Sequence, residues 1–148
     1  MKGLLAAVLA GSLALGLVAC GGDDGVSKAD YIEKADAICA QGDKENQAIV
    51  EKSFEDQQDP QPEEAQSAIR EVVPLQKARL AKLRELEKPD GDESKLDAIY
   101  TAVQAGIASL EQAGQDPTAS LAILKSQRGP FDAADRLAKD YGFKDCAN

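Results

Sequence analysis

A chain of 148 residues suits one domain with a moderate hydrophobic core and is too short for two domains of ordinary size. Its 26 acidic and 17 basic side chains give a net charge of −9, which disfavours binding to nucleic acid. The sequence contains no histidine, so it lacks the commonest general base and the commonest transition-metal ligand.

The chain begins with the parts of an export signal: a basic residue (Lys2), an apolar run and small residues before a cysteine. The apolar run, residues 3–19, includes three glycines and is marginal for a helix that spans roughly 30 Å of hydrocarbon. Its end, "LVAC", resembles the bacterial lipobox. The resemblance implies cleavage before Cys20 and a thioether between the Cys20 sulfur and diacylglycerol. The alternative is an ordinary secretory signal that leaves Cys20 as a spare thiol.

The lipobox divides the chain into three parts. Residues 1–19 are the predicted lipoprotein signal peptide, residues 20–26 hold the lipidated cysteine and a flexible tether, and residues 27–148 form the folded domain. Each buried methylene of an acyl chain such as palmitate contributes about 0.8 kcal/mol, so two chains anchor a protein almost permanently. We therefore expect the protein on the outer, extracytoplasmic face of the cell membrane.

Two further cysteines, Cys39 and Cys146, remain in an exported and oxidising location. Two thiols allow one internal pairing, and a loop of this size stabilises the folded state by up to about 4.7 kcal/mol. The alternatives are two free buried thiols or a metal pair. Two thiolates without histidine supply only half of a tetrahedral zinc site.

The first predicted helix begins after Ser27, which can cap it, with Asp30 three residues later. Gly42 lies on its apolar face and indicates either close packing or a bend. The helical pattern ends in the polar, proline-containing segment 55–64. The apolar face of this first helix comprises Tyr31, Ala35, Ile38, Cys39, Ile49, Val50 and Phe54.

The second predicted helix begins near Pro62, and Pro74 inside it is expected to kink or split it. The turn residues of "KPDGDES" then separate it from the third helix, which Gly114 can terminate. The apolar stripe of the second helix comprises Ile69, Val72, Val73, Leu80 and Leu83. The apolar stripe of the third helix comprises Leu96, Ile99, Tyr100, Val103, Ile107 and Leu110.

A fourth helix is predicted to open at Asp116-Pro117 and to end at Gly142. Its apolar stripe changes phase at Gly129-Pro130, which predicts a sharp kink or two shorter helices. No useful stretch alternates with a period of two. We therefore predict an all-α fold, an antiparallel four-helix bundle with kinked helices and one disulfide, in which residues 143–146 run back along the first helix.

Three short motifs of the folded domain, "ADAICA", "LRELEKPDGDE" and "YGFKDC", resemble small lipoproteins exported by actinobacteria. The resemblance implies a cysteine in the first helix, a leucine- and proline-bearing middle segment and a "YG…C" ending. Relatives often have paired prolines where this chain has Lys88-Pro89. The family implies no biochemical activity.

No catalytic motif, metal site or cofactor site is predicted from the residues. The acidic pairs Glu33/Asp36 and Asp132/Asp135 are interpreted as solvated helix faces. The acidic turn "PDGDES" is interpreted as a helix connection instead of a calcium loop, because it lacks EF-hand spacing. The tyrosines, Tyr31, Tyr100 and Tyr141, are interpreted as core residues, with the first and last at one end of the bundle.

The predicted function is non-catalytic binding at the cell envelope. The partners are the membrane, through the lipid on Cys20, and either an envelope protein or a small apolar ligand. The ligand-binding residues are not predicted. A structural spacer without a ligand is the alternative, followed by an enzyme that uses carboxylates alone.

Replacing Cys20→Ser should release or mislocalise the protein, because the sulfur that would carry the lipid is lost. Cell fractionation with the mass of the polypeptide checks this expectation. Uncleaved protein retained in the membrane is compatible with the anchor, since the signal peptide would then hold the chain. Membrane retention after correct cleavage would contradict it.

Overall fold

A computed structural model describes residues 25–54, 60–126 and 129–147. The predicted signal peptide and Cys20 lie outside the described residues. Within these ranges the regular structure is entirely helical, which confirms the all-α class. The elements are α1 (Lys28–Ser53), α2 (Pro62–Glu85), α3 (Glu93–Ala113), α4 (Pro117–Lys125), α5 (Asp132–Tyr141) and a terminal 3-10 turn (Asp145–Ala147).

Local chemistry explains several of the helix ends. The Ser27 hydroxyl accepts the Asp30 N–H at 3.1 Å, and the Asp116 carboxylate accepts the Ala119 N–H at 2.7 Å. Gly142, at φ +114°, ends α5 in the left-handed conformation that glycine adopts without strain. These three ends confirm the capping signals predicted from the sequence.

Two predicted irregularities have different outcomes. Pro74 does not split α2, which runs as one helix from Pro62 to Glu85. The ring of Pro74 is on an exposed position, where the lost backbone donor leaves the core undisturbed. The phase change at Gly129-Pro130 does separate two shorter helices, α4 and α5.

Helix α2 is central to the packing: it contacts α1, α3 and α4. Helix α3 also contacts α4 and α5, whereas α1 and α5 each contact the terminal turn. Lys52, near the end of α1, pairs with Glu71 in the first half of α2, whereas Asp43, earlier in α1, pairs with Arg79, later in α2. None of the helices within the described ranges is long and apolar enough to cross a membrane.

The buried apolar side chains form two clusters at different levels along α2 and α3. The smaller one joins Ile69 of α2 to Leu110 and Ala113 of α3. The larger one supplies most of the apolar burial, which is the main favourable contribution to folding. It comprises Tyr31, Ala35, Cys39, Leu80, Leu83, Leu96, Ile99, Tyr100, Ile107, Ala138, Tyr141 and Phe143.

A disulfide between Cys39 and Cys146 attaches the terminal turn to α1, with their Cα atoms 5.1 Å apart. It confirms the predicted pairing and joins positions 107 residues apart in the sequence. In the chain-entropy description, a crosslink that closes a loop of this size stabilises the folded state by up to about 4.7 kcal/mol.

Asp36 attaches the same turn by hydrogen bonds. Its carboxylate accepts the backbone N–H groups of Lys144, Asp145 and Cys146 at 3.0–3.2 Å, and the residue is only 7% exposed. The interpretation of Asp36 as part of a solvated face with Glu33 is therefore wrong. Backbone donors at the start of a helical turn lack helical partners, and a carboxylate is a strong acceptor for them.

Replacing Asp36→Ala should lower the free energy of unfolding by about 2–3 kcal/mol, because buried N–H groups lose a charged acceptor. Urea denaturation with the disulfide intact measures this change. Glu33→Ala is the matched control, since it removes the same charge from an exposed position of α1. Equal stability of the two variants would contradict the structural role of Asp36.

Candidate functional site

A cavity of about 380 Å³ is lined by residues from all five α-helices. Within the described residues, α1 packs against α2 and the terminal turn, and has no backbone contact with α4 or α5. The cavity occupies the resulting gap, with α1 on one side and α4 and α5 on the other. Its volume falls in the range of small-molecule sites, roughly 300–1,000 Å³.

The disulfide contributes to the wall of the cavity. Cys39 and Cys146 both line it, as does Phe143 just before the terminal turn. Farther along the cavity, Val50 and Leu124 also line it and are 44% and 39% exposed. Cys39 and Val50 lie about 16 Å apart along the axis of α1, so the cavity extends along this helix from the disulfide to the exposed apolar side chains of Val50 and Leu124, which we call its mouth.

Apolar side chains form most of the wall. They come from α2, α3, α4 and the segment just before α5, so no single helix carries the site. A surface of this kind excludes water and favours an apolar occupant. Its main members are Val72, Leu80, Val103, Leu110, Ile123 and Phe131.

A few polar groups interrupt this wall. Arg79 Nη2 donates to Asp43 Oδ1 at 2.8 Å, which joins α2 to α1. Asn46 Oδ1 is buried and has no hydrogen-bond partner within the described part of the chain. Gln76 is 7% exposed and also lines the cavity. An unpaired buried acceptor destabilises a protein by about 1–3 kcal/mol unless a ligand or water supplies a donor.

Gly42 allows Arg79 to lie across α1. A Cβ atom at Gly42 would come within 2.2–2.6 Å of the Arg79 guanidinium. Of the two predicted roles for this glycine, close packing is therefore the one observed. The close approach places the guanidinium at the cavity, where it pairs with Asp43.

Asp135 lines the cavity from α5. Partial burial, followed by repulsion from Asp132 and Asp43, raises the pKa of the Asp135 carboxyl above its ordinary value. The solvated-face interpretation of the Asp132/Asp135 pair is thus incomplete, since Asp135 is only partly exposed. We call the charged residues that line the cavity, together with Asn46, its polar edge. Among the described residues this edge contains three carboxylates, on Asp43, Asp135 and Asp145, and one cation, Arg79.

The three tyrosines are buried core residues, as predicted. Tyr31 and Tyr141 pack edge-to-face with ring centroids 6.4 Å apart, which places them at one end of the domain. Tyr100 hydrogen-bonds to Tyr31 and donates to the Leu83 carbonyl at 2.9 Å. Burial raises the pKa of all three phenols, so they remain neutral. Of the three, Tyr100 lines the cavity.

The acidic segment before α3, residues 89–92, forms a turn that also contacts the end of α5. The Asp92 N–H donates to the Pro89 carbonyl at 3.1 Å around Gly91, which has φ +80°. Asp92 accepts hydrogen bonds from Lys95 and Tyr141, and the hydrogen bond from Lys95 lowers the pKa of its carboxyl. Across the described ranges, no group of three or more His, Cys, Asp or Glu residues could hold a metal ion.

Comparison of the chain with protein-family models, curated proteins and solved structures gives no match. The geometry of the cavity is therefore the observation from which function is inferred.

Asn46 and Gln76 were not predicted from the sequence as cavity residues, although a signal was present. Asn46 continues the helical spacing of Cys39, Gly42 and Val50 on α1. Gln76 continues the apolar stripe of α2 in the same way. A polar residue at a stripe position is expected to face the interior, and these two face the cavity.

Stability should depend on the charge of Asp135. Because its folded-state pKa is raised, the unfolded state releases this proton first as pH rises from the ordinary value of 3.8. The folded state therefore loses stability through that window, and the loss is complete above the raised pKa. Asp135→Asn should melt at a higher temperature than the parent protein at pH 7, and this gain should disappear near pH 3.

Thermal melts across this pH range test the expectation. Glu33→Gln is the control, because it removes one negative charge from an exposed site. A stabilisation by Asp135→Asn that persists unchanged at low pH would contradict the electrostatic explanation.

Proposed function

We propose that this protein is a lipid-anchored lipoprotein of the outer face of the cell membrane, and that its helical domain binds a small apolar ligand without catalysis. The observation that carries the proposal is the cavity of about 380 Å³ between α1 and the pair α4 and α5. A mostly apolar wall with a few buried polar groups is the usual composition of small-molecule sites.

We further propose that the helices form an antiparallel four-helix bundle, in which the chain bends between α4 and α5. Three cross-helix contacts support it: Lys77 with Glu111 and Arg84 with Gln104 between α2 and α3, and Tyr141 with Asp92 between α5 and the start of α3. Later positions on one helix meet earlier positions on the next. Ligand sites of bundles commonly lie in the core between facing helices.

The anchor rests on the lipobox-like "LVAC" and the apolar segment before it. Helix α1 begins at Lys28, so the segment from Cys20 to this helix would span at most about 29 Å when fully extended. This arrangement would hold the cavity near the membrane surface, where apolar molecules concentrate.

The introduced indole of Val50→Trp provides a test, because the parent chain contains no tryptophan. Val50 lines the cavity mouth, so octanol should displace water from the indole and shift its emission to shorter wavelength, with saturation. We expect a dissociation constant of about 1 mM or below. Ala48→Trp, on an exposed position of the same helix, should not respond.

A second pair of variants, each combined with Val50→Trp, tests the location of binding. Ala134→Leu adds carbon atoms to a buried cavity-lining position and should weaken octanol binding. Ala133→Leu adds the same atoms to the neighbouring exposed position and should leave binding intact. Absence of any saturable response would contradict the ligand-binding proposal and favour the structural spacer.

A further inference from the structure

The geometry points to a more specific ligand: a single-chain amphiphile whose head group is cationic and donates hydrogen bonds, such as a protonated amine. The inference rests on the proposed function, since it concerns the same cavity. It follows from the kind of polar groups that the cavity offers and from their existing partners.

The polar edge includes one acceptor without a donor and an excess of negative charge. Asn46 Oδ1 is buried without a hydrogen-bond partner in the described ranges. Among the described residues, three carboxylate residues, Asp43, Asp135 and Asp145, line the cavity together with one cation, Arg79. A protonated amine supplies both the missing donor and the missing positive charge.

Arg79 does not make the cavity a site for anions. Its guanidinium already donates to Asp43 at 2.8 Å, and its side chain is only 17% exposed. An anionic head group would have to compete with Asp43 for this cation and approach two further carboxylates. Repulsion of this kind in a partly buried site weakens binding.

Asp135 is the carboxylate best placed to favour a cation. Burial and the neighbouring Asp132 and Asp43 raise the pKa of its carboxyl, so its ionised form lacks compensation in the free protein. A bound ammonium group would provide that compensation. This contribution acts on the head group and is independent of the apolar wall.

The volume limits the size of the ligand. A cavity of 150 Å³ accommodates benzene, with six carbon atoms, so about 380 Å³ corresponds to roughly 15 non-hydrogen atoms. One alkyl chain with a compact head group fits this volume, whereas a two-chain phospholipid does not. The chain would lie along the apolar wall, between Val103 and Ile123.

Three ligands with the same alkyl chain test the head group: octylammonium, octanol and octanoate. Each is titrated into the full chain carrying Val50→Trp. Octylammonium should bind about tenfold more tightly than octanol, because it adds a charge-assisted hydrogen bond, and octanoate should bind more weakly than octanol. Equal affinities, or tighter binding of octanoate, would overturn the inference while leaving the apolar site standing. Failure of all three to bind would contradict the proposed function itself.

Two aspartate variants separate the cavity from the general negative charge of the protein. Asp135→Asn should bring the ratio of octylammonium to octanol affinity towards one. Asp140→Asn removes the same charge from an exposed position of α5 that does not line the cavity, and it should keep the ratio near tenfold. An equal fall in both variants would assign the preference to net charge and overturn the inference.

Asn46→Leu gives an independent test that does not alter charge. It removes the unpaired acceptor and should weaken octylammonium binding by about tenfold. Circular dichroism melts establish that each variant is folded. Unchanged octylammonium binding by folded Asn46→Leu would contradict the role of this acceptor.

Discussion

The attachment of the terminal turn to α1 is the constraint on which the cavity depends. Within the described residues, the backbone of α1 packs against α2 and this turn but not against α4 or α5. The start of α1 is also held by Tyr31, which contacts Tyr141 of α5 and Tyr100 of α3. Without the turn, the part of α1 that begins at Cys39 and lines the cavity would lose its covalent attachment to the end of the chain. Asp36 and Cys39 stand three positions apart on α1, so both face the turn from one side of the helix. The cavity wall is therefore positioned from the opposite end of the chain.

The two attachments differ in chemistry and complement each other. The disulfide acts mainly by restricting the unfolded chain, whereas the Asp36 carboxylate satisfies three backbone donors of the folded state. The Cys146 sulfur also lies 3.3 Å from the Ala35 carbonyl oxygen. The hydrogen bonds fix the conformation of residues 144–146, and that conformation places Cys146 beside Cys39. Reduction alone would thus leave the turn with a specific binding site on α1.

Most helix ends were predictable because they depend on residues only a few positions apart. Ser27, Asp116 and Gly142 each determine the conformation or hydrogen bonding of backbone groups within a few residues, so the sequence around each one is sufficient to predict the helix end. The Cys39–Cys146 pairing was also accessible, since the lipobox-like motif assigns Cys20 to a lipid and leaves two thiols, which allow one internal bridge. The role of Asp36 was not accessible, because its three donors follow more than 100 residues later. The residues around Asp36 in the sequence include other charged side chains, and nothing in that local pattern indicates that Asp36 is buried.

Asn46 and Gln76 connect the packing to the proposed function. Both occupy stripe positions where leucine would add apolar burial and remove polar groups from the interior. A domain that served only as a spacer would be more stable with apolar side chains at both positions. Binding sites often sacrifice stability in this way, since groups that await a ligand are poorly satisfied without it. We therefore interpret Asn46, whose Oδ1 has no hydrogen-bond partner within the described residues, as support for a ligand. An apolar molecule alone would explain the cavity, but an amphiphile also explains why an unpaired acceptor lines it.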